Sequence, residues 1–80
     1  MDAQNTNITQ LDKANATLVA LAAQVTTADR KAAMQELQIG SRQTVFIYLK
    51  GKGKDLDTAV GLIRVFRRRI EERERELAAA

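Results

Sequence analysis

Apolar side chains recur in steps of three and four from Ile8 through Leu11, Leu18, Ala22 and Val25, provided Asn15 is counted as a member of the row. That spacing predicts an amphipathic helix over residues 8–25 with one polar interruption in its apolar face. Thr6 or Asn7 supplies an oxygen for the free first-turn amides and predicts where the helix starts. Asn15 has two readings: inside a seam it sets register between paired helices, and at the wet edge of a seam it is simply hydrated.

Thr26 and Thr27 break the row, and either can cap a second helix over residues 28–37, where Asp29 in the first turn suits the positive end of the helix dipole. Ala32, Ala33 and Leu37 form its expected inward face, with Met34 flanking. Gly40 marks the turn, because glycine adopts left-handed backbone at least cost. Ser41 then caps a third helix that runs to Lys50. On this helix Val45, Tyr48 and Leu49 share the inward face, Phe46 lies with Arg42 and Lys50, and Ile47 stands opposite the core. Gly51 and Gly53 make a loop among Lys50, Lys52 and Lys54.

Asp55 or Asp57 caps a long fourth helix over residues 55–78, interrupted only by Gly61 at a cost of about 1 kcal/mol against alanine. Its apolar row is Leu56, Ala59, Ile63, Phe66, Ile70 and Leu77, with Arg73 in the series and Leu62 and Val65 widening the first half. This is nearly a heptad seam. Arg67 with Glu71, Arg68 with Glu72 and Glu71 with Arg75 are four apart and predict ion pairs along the helix surface. The pattern as a whole predicts an all-α fold of about four helices, with a helix-turn-helix over residues 28–50 at its centre.

Eighty residues make one small domain, near the size at which a single core is marginal without regular helix packing or association. A partner copy is therefore expected. The absence of cysteine and histidine removes disulfides, thiol nucleophiles, imidazole bases and the usual zinc ligands. No pair of carboxylates is placed for acid and base roles, and the Gly-Lys-Gly-Lys string lacks the spacing and closing Lys-Ser or Lys-Thr of a phosphate loop. No enzyme activity, cofactor, metal or small-molecule substrate is expected. No run approaches the roughly 20 apolar residues that span a bilayer, and the polar start lacks a basic region before an apolar one, so a cytoplasmic protein without a membrane role is expected.

Net charge is +3, but it is unevenly spread. Residues 1–40 carry −1 and residues 41–80 carry +4, and the segment 42–69 holds eight bases against two acids. Positive charge concentrated in this way attracts polyanions.

The stretch ELQIGSRQTVFIYLKGK, from Glu36 to Lys52, resembles the helix-turn-helix of bacterial and phage DNA-binding regulators. About residues 28–54 carry the likeness. In that family the second helix commonly reads Ser-Arg-x-Thr-Val, then an aromatic and Tyr-Leu, with a closing glycine. The resemblance implies sequence-specific binding of double-stranded DNA by a homodimer. Ser41 would cap the recognition helix near a phosphate; Arg42, Gln43, Thr44 and Phe46 would reach base edges; and Lys50, Lys52 and Lys54 would neutralise phosphates. Three departures stand out. Arg30 and Lys31, at the start of the second helix, could touch phosphate, and a solvated face explains them equally well. Gln38 occupies the place of the family's turn glycine, predicting a turn one residue longer, and Phe46 with Ile47 puts apolar groups where the family shows polar ones. The alternative is a helical protein-interaction module that presents Phe46 and Ile47 to a partner.

Overall fold

The protein is described by a computed structural model covering the backbone of residues 3–79 and the side chains of residues 9–79. Among these residues the chain is all-α: α1 spans Ala3–Leu21, α2 Thr27–Glu36, α3 Arg42–Leu49 and α4 Leu56–Ala79, with a 3-10 turn at Ala22–Gln24. The first helix thus starts earlier than its polar residues predict. Thr6 and Asn7 lie inside it rather than before it, and Ile8's side chain lies outside the described residues. It also stops sooner, tightening into the 3-10 turn before Val25.

The most extensive contact is α1 against α4, followed by α2 against α4 and α1 against α3. Leu18, Val45, Leu62 and Phe66 are fully buried where these helices meet, joined by Ala33 and Ala59, whose small side chains let the backbones approach. The apolar row of α4 is filled by its own chain: Ala59, Phe66 and Ile70 are buried together with Leu62 and Val65. The spacing alone leaves this seam looking unfilled within one chain, and packing against α1 and α2 fills it. Only Leu77, beyond the end of the core, stays exposed. Gly61 has a packing reason, since a Cβ there would lie 3.0 Å from Cδ2 of Leu37. It lets the end of α2 press onto α4.

Thr26 caps α2 with a reciprocal pair of bonds, the Asp29 amide donating to Thr26 Oγ1 at 3.2 Å and the Thr26 amide to Asp29 Oδ2 at 3.0 Å. The dipole reading of Asp29 understated its role. Its carboxylate is fully buried, and it also accepts from Arg69 Nε at 2.8 Å and from Arg73 Nη1 at 2.7 Å. Arg73 Nη2 continues to the Gln24 carbonyl at 2.8 Å. Arg73 is thus the polar member of the α4 row because it faces an acid. The ion pairs expected along α4 do not form among the described residues; Arg68 turns instead to Glu36 of α2, at 2.6 Å.

α2 ends in a Schellman turn, with the Ile39 amide on the Met34 carbonyl at 2.8 Å and the Gln38 amide on the Gln35 carbonyl at 3.4 Å. The left-handed residue is Gln38, with φ 57°, and not Gly40, whose surroundings are open. Hydrogen bonding and the contact of Ile39 with the core hold Gln38 in a conformation that glycine would adopt freely. Gln38→Gly should therefore raise stability by about 0.5–1 kcal/mol in a urea melt.

Burial raises the pKa of Asp29, but bonds from the Thr26 amide, Arg69 and Arg73, with the charge of Arg73, outweigh it and hold the group at about 2 against an ordinary 3.8. Because the folded value lies below the unfolded one, this stabilisation is complete above the unfolded pKa and is lost as pH falls through the folded one. Urea midpoints should stay level down to about pH 5 and then fall toward about pH 2, with a loss on the order of 2 kcal/mol from this group. Exposed Glu36 and Asp55, also held below their ordinary values by bonds from Arg68 and Thr58, add in the same direction. Subtracting the profile of Asp29→Asn isolates the buried share, and a variant with the same acid limb as the parent would refute this assignment.

Candidate nucleic-acid interface

α3 sits on the body through Val45, Tyr48 and Leu49, all buried. That face matches the one its spacing predicts. The opposite side carries Ser41, Arg42, Gln43, Phe46, Ile47 and Lys50 in solvent, with Thr44 half-buried. Ser41, Arg42, Gln43 and Phe46 line one shallow hollow at the helix start. Ser41 holds the extended N-cap conformation, φ −127° and ψ 127°, but its side chain makes no capping bond. Its hydroxyl stays free of the helix end it was expected to satisfy.

Lys50, Lys52 and Lys54 are exposed, on a loop that the structure pins closely. The end of α3 closes through the Lys52 amide on the Ile47 carbonyl at 3.1 Å and the Gly51 amide on the Tyr48 carbonyl at 3.0 Å, with Gly51 at φ 82°. This is a second Schellman turn, here with glycine in the left-handed place. Gly53 lies flat against the Tyr48 ring, so a Cβ there would come within 2.1 Å of Cδ2. The Asp55 amide donates to Tyr48 Oη at 2.9 Å, and Asn15 Nδ2 of α1 donates to the Gly53 carbonyl at 2.9 Å. Asp55 then caps α4 through Thr58, whose amide and hydroxyl donate to Oδ2 at 2.9 and 2.7 Å.

The lysines therefore leave a backbone with few alternatives. Less conformational freedom remains to be lost when a ligand binds. The structure brings Arg42, Phe46 and Lys50 onto one side of α3, while Lys52 and Lys54 stand beyond its C-terminal end, about 12 Å of helix away from Arg42.

One contact at this surface was not legible in the local pattern. The guanidinium of Arg30, on α2, lies 4.9 Å from the centre of the Phe46 ring, and its Nη2 donates to Thr27 Oγ1 at 2.9 Å. Cation and ring attract in this geometry, by about 0.5–1 kcal/mol at an exposed site. Sixteen residues separate the two, so no helical spacing relates them. The signal was only an arginine early in α2 and an aromatic on the outer side of α3.

Among the described residues no group of three or more acidic, histidine or cysteine side chains could hold a metal, and no helix is long and apolar enough to cross a membrane. No family model, no curated protein and no solved structure matches the chain.

Asn15→Ala should leave the Gly53 carbonyl without its donor and cost about 1–2 kcal/mol. Amide exchange should then quicken at residues 52–54 while remaining unchanged in α2. Unaltered protection at the lysine loop would show that Asn15 does not hold it.

Proposed function

We propose that the chain binds double-stranded DNA, with α3 as the reading helix in the major groove, and acts as a sequence-specific transcriptional regulator of bacterial or phage type. The observation that carries this reading is the division of α3 into an anchored face and a free one. Val45, Tyr48 and Leu49 fix the helix, while Arg42 and Gln43 project from its first turn with no hydrogen bond or ion pair among the described residues. An arginine fork matches the paired acceptors of guanine, and a glutamine amide matches adenine. Thr44 and Phe46 add a hydroxyl and an apolar edge suited to a thymine methyl. Lys50, Lys52 and Lys54 supply phosphate contacts, which set position and salt dependence without reading sequence. A homodimer is the assembly this reading requires, because one short helix contacts too few base pairs.

A second reading has its own support. Phe46 is 38% exposed and Ile47 46%, an adjacent apolar pair that a helical protein-interaction module would use. The Arg30 guanidinium over Phe46 favours DNA between the two, since it covers the ring and adds a cation beside the reading face.

In a mobility-shift assay at about 50 mM salt the protein should retain DNA from a random pool, with affinity falling steeply as salt rises. Arg42→Ala should cost about 1–3 kcal/mol of discrimination at one base position, whereas Lys52→Ala should weaken all sequences alike and lower the salt slope by about one. Absence of retention by folded protein at low salt overturns the reading. Capture of a protein partner that is sensitive to Phe46→Ala or Ile47→Ala, with no DNA retained, would establish the alternative.

A further inference from the structure

The outer face of α4 carries a row that the core does not use. Val60, Arg64, Arg67, Glu71, Glu74 and Ala78 follow one another in steps of four and three, and all are exposed. Arg64, Arg67, Glu71 and Glu74 make no ion pair within the chain among the described residues, although Arg67 and Glu71 are four apart. The order of charges along the row is basic, basic, acidic, acidic. Turned end for end about residue 69, it is its own complement.

We propose that this face pairs with the same face of a second copy, antiparallel, about a two-fold axis at Arg69. Arg67 then meets the partner's Glu71, Arg64 the partner's Glu74 and Val60 the partner's Ala78, and symmetry repeats each contact. These are the layers that two antiparallel helices form when a and d positions of a heptad face each other. The overlap from residue 60 to residue 78 is about 27 Å long.

Apolar contact closes both ends. Val60 and Ile63 floor a shallow groove walled by Arg64 and Arg67. Leu77, 77% exposed in the single chain, falls beside the partner's Ile63 in the same register. Arg68, which would otherwise face its symmetry mate near the axis, is drawn aside by Glu36. A parallel pairing would instead set Arg64 against Arg64 and Glu71 against Glu71, so charge selects the orientation more than it supplies affinity. The pairing does not depend on what α3 binds.

The chain's lack of cysteine and its self-complementary charge make the test direct. Sedimentation equilibrium without DNA should give twice the 8.9 kDa chain mass at micromolar to sub-millimolar protein. Arg64→Glu with Arg67→Glu, and separately Glu71→Arg with Glu74→Arg, should each halve that mass with helical circular dichroism unchanged, and mixing the two variants should restore the dimer. Under oxidation, Val60→Cys and Ala78→Cys chains should cross-link to each other but not to themselves. A parent that stays monomeric throughout this range, variants that still dimerise alone, or Val60→Cys chains linked to one another would each overturn the proposal. Because no DNA is present, such a failure is separate from failure of the DNA reading.

Discussion

The arrangement of the helices depends on one buried carboxylate. Asp29 has no exposed surface, and a carboxylate taken out of water must find partners for its lone pairs or become protonated. It finds them on three sides: the Thr26 amide from its own helix start, and Arg69 and Arg73 from α4. Arg73 also bonds the Gln24 carbonyl, so the end of the α1 connection joins the same cluster. The two arginines keep a third or more of their side-chain surface exposed, at 34% and 39%, which spares them much of the dehydration a fully buried pair would suffer. Apolar packing among Leu, Val and Ala side chains brings helices together without specifying their rotation. The Asp29 cluster does specify it for α2, and through α2 it positions Arg30 over Phe46.

A second polar pin acts in the same manner at the other end of α3. Asn15 reaches from α1 to the Gly53 carbonyl, and Tyr48 Oη takes the Asp55 amide, so α1, α3 and the start of α4 are joined through one loop. Without these bonds a lysine and glycine loop would sample many conformations, because glycine restricts its own backbone least. The two pins have a common logic in so small a core. Each is a directional contact that costs stability if only half formed, and so excludes neighbouring arrangements that apolar burial alone would tolerate.

The elements themselves were legible in the sequence, and for physical reasons. Four helices follow from apolar spacing, and the caps at Thr26 and Asp55 follow from residues that outcompete the backbone for first-turn amides. The inward face of α3 was legible because Val45, Tyr48 and Leu49 share one side at 3.6 residues per turn. What was not legible is long-range or depends on context. Gln38 takes the left-handed position through its hydrogen bonds and the neighbouring packing of Ile39, whereas propensity points to Gly40. Asn15 was correctly placed in the apolar row, but its partner is a loop carbonyl 38 residues away. Arg73 looked like a break in a seam, since nothing local says that the seam faces Asp29. The exposed sides of Arg42, Gln43 and Lys50 were legible as a face, and Arg30 as a cation near it, but the contact of Arg30 with Phe46 was not.

Folding also redistributes the charge that composition reports. Of the eight bases in residues 42–69, Arg68 and Arg69 are matched by Glu36 and Asp29, acids that lie outside that segment. The unmatched cations fall into two groups. Arg42, Lys50, Lys52 and Lys54 belong to α3 and its loop, with Asp55 and Asp57 following at the start of α4. Arg64 and Arg67 belong to the outer side of α4, where Glu71 and Glu74 follow within two turns. Acids within about a Debye length, roughly 8–10 Å at ordinary ionic strength, weaken attraction for a polyanion, and the first group holds four cations against two acids where the second holds two against two. An acid-bearing helix end held against phosphate would oppose binding, so the DNA reading proposed above belongs to α3 and not to the end of α4. The same separation leaves the mixed charges of α4 available for a surface that is neutral as a whole and complementary in detail, which suits a second copy of the chain and not a nucleic acid.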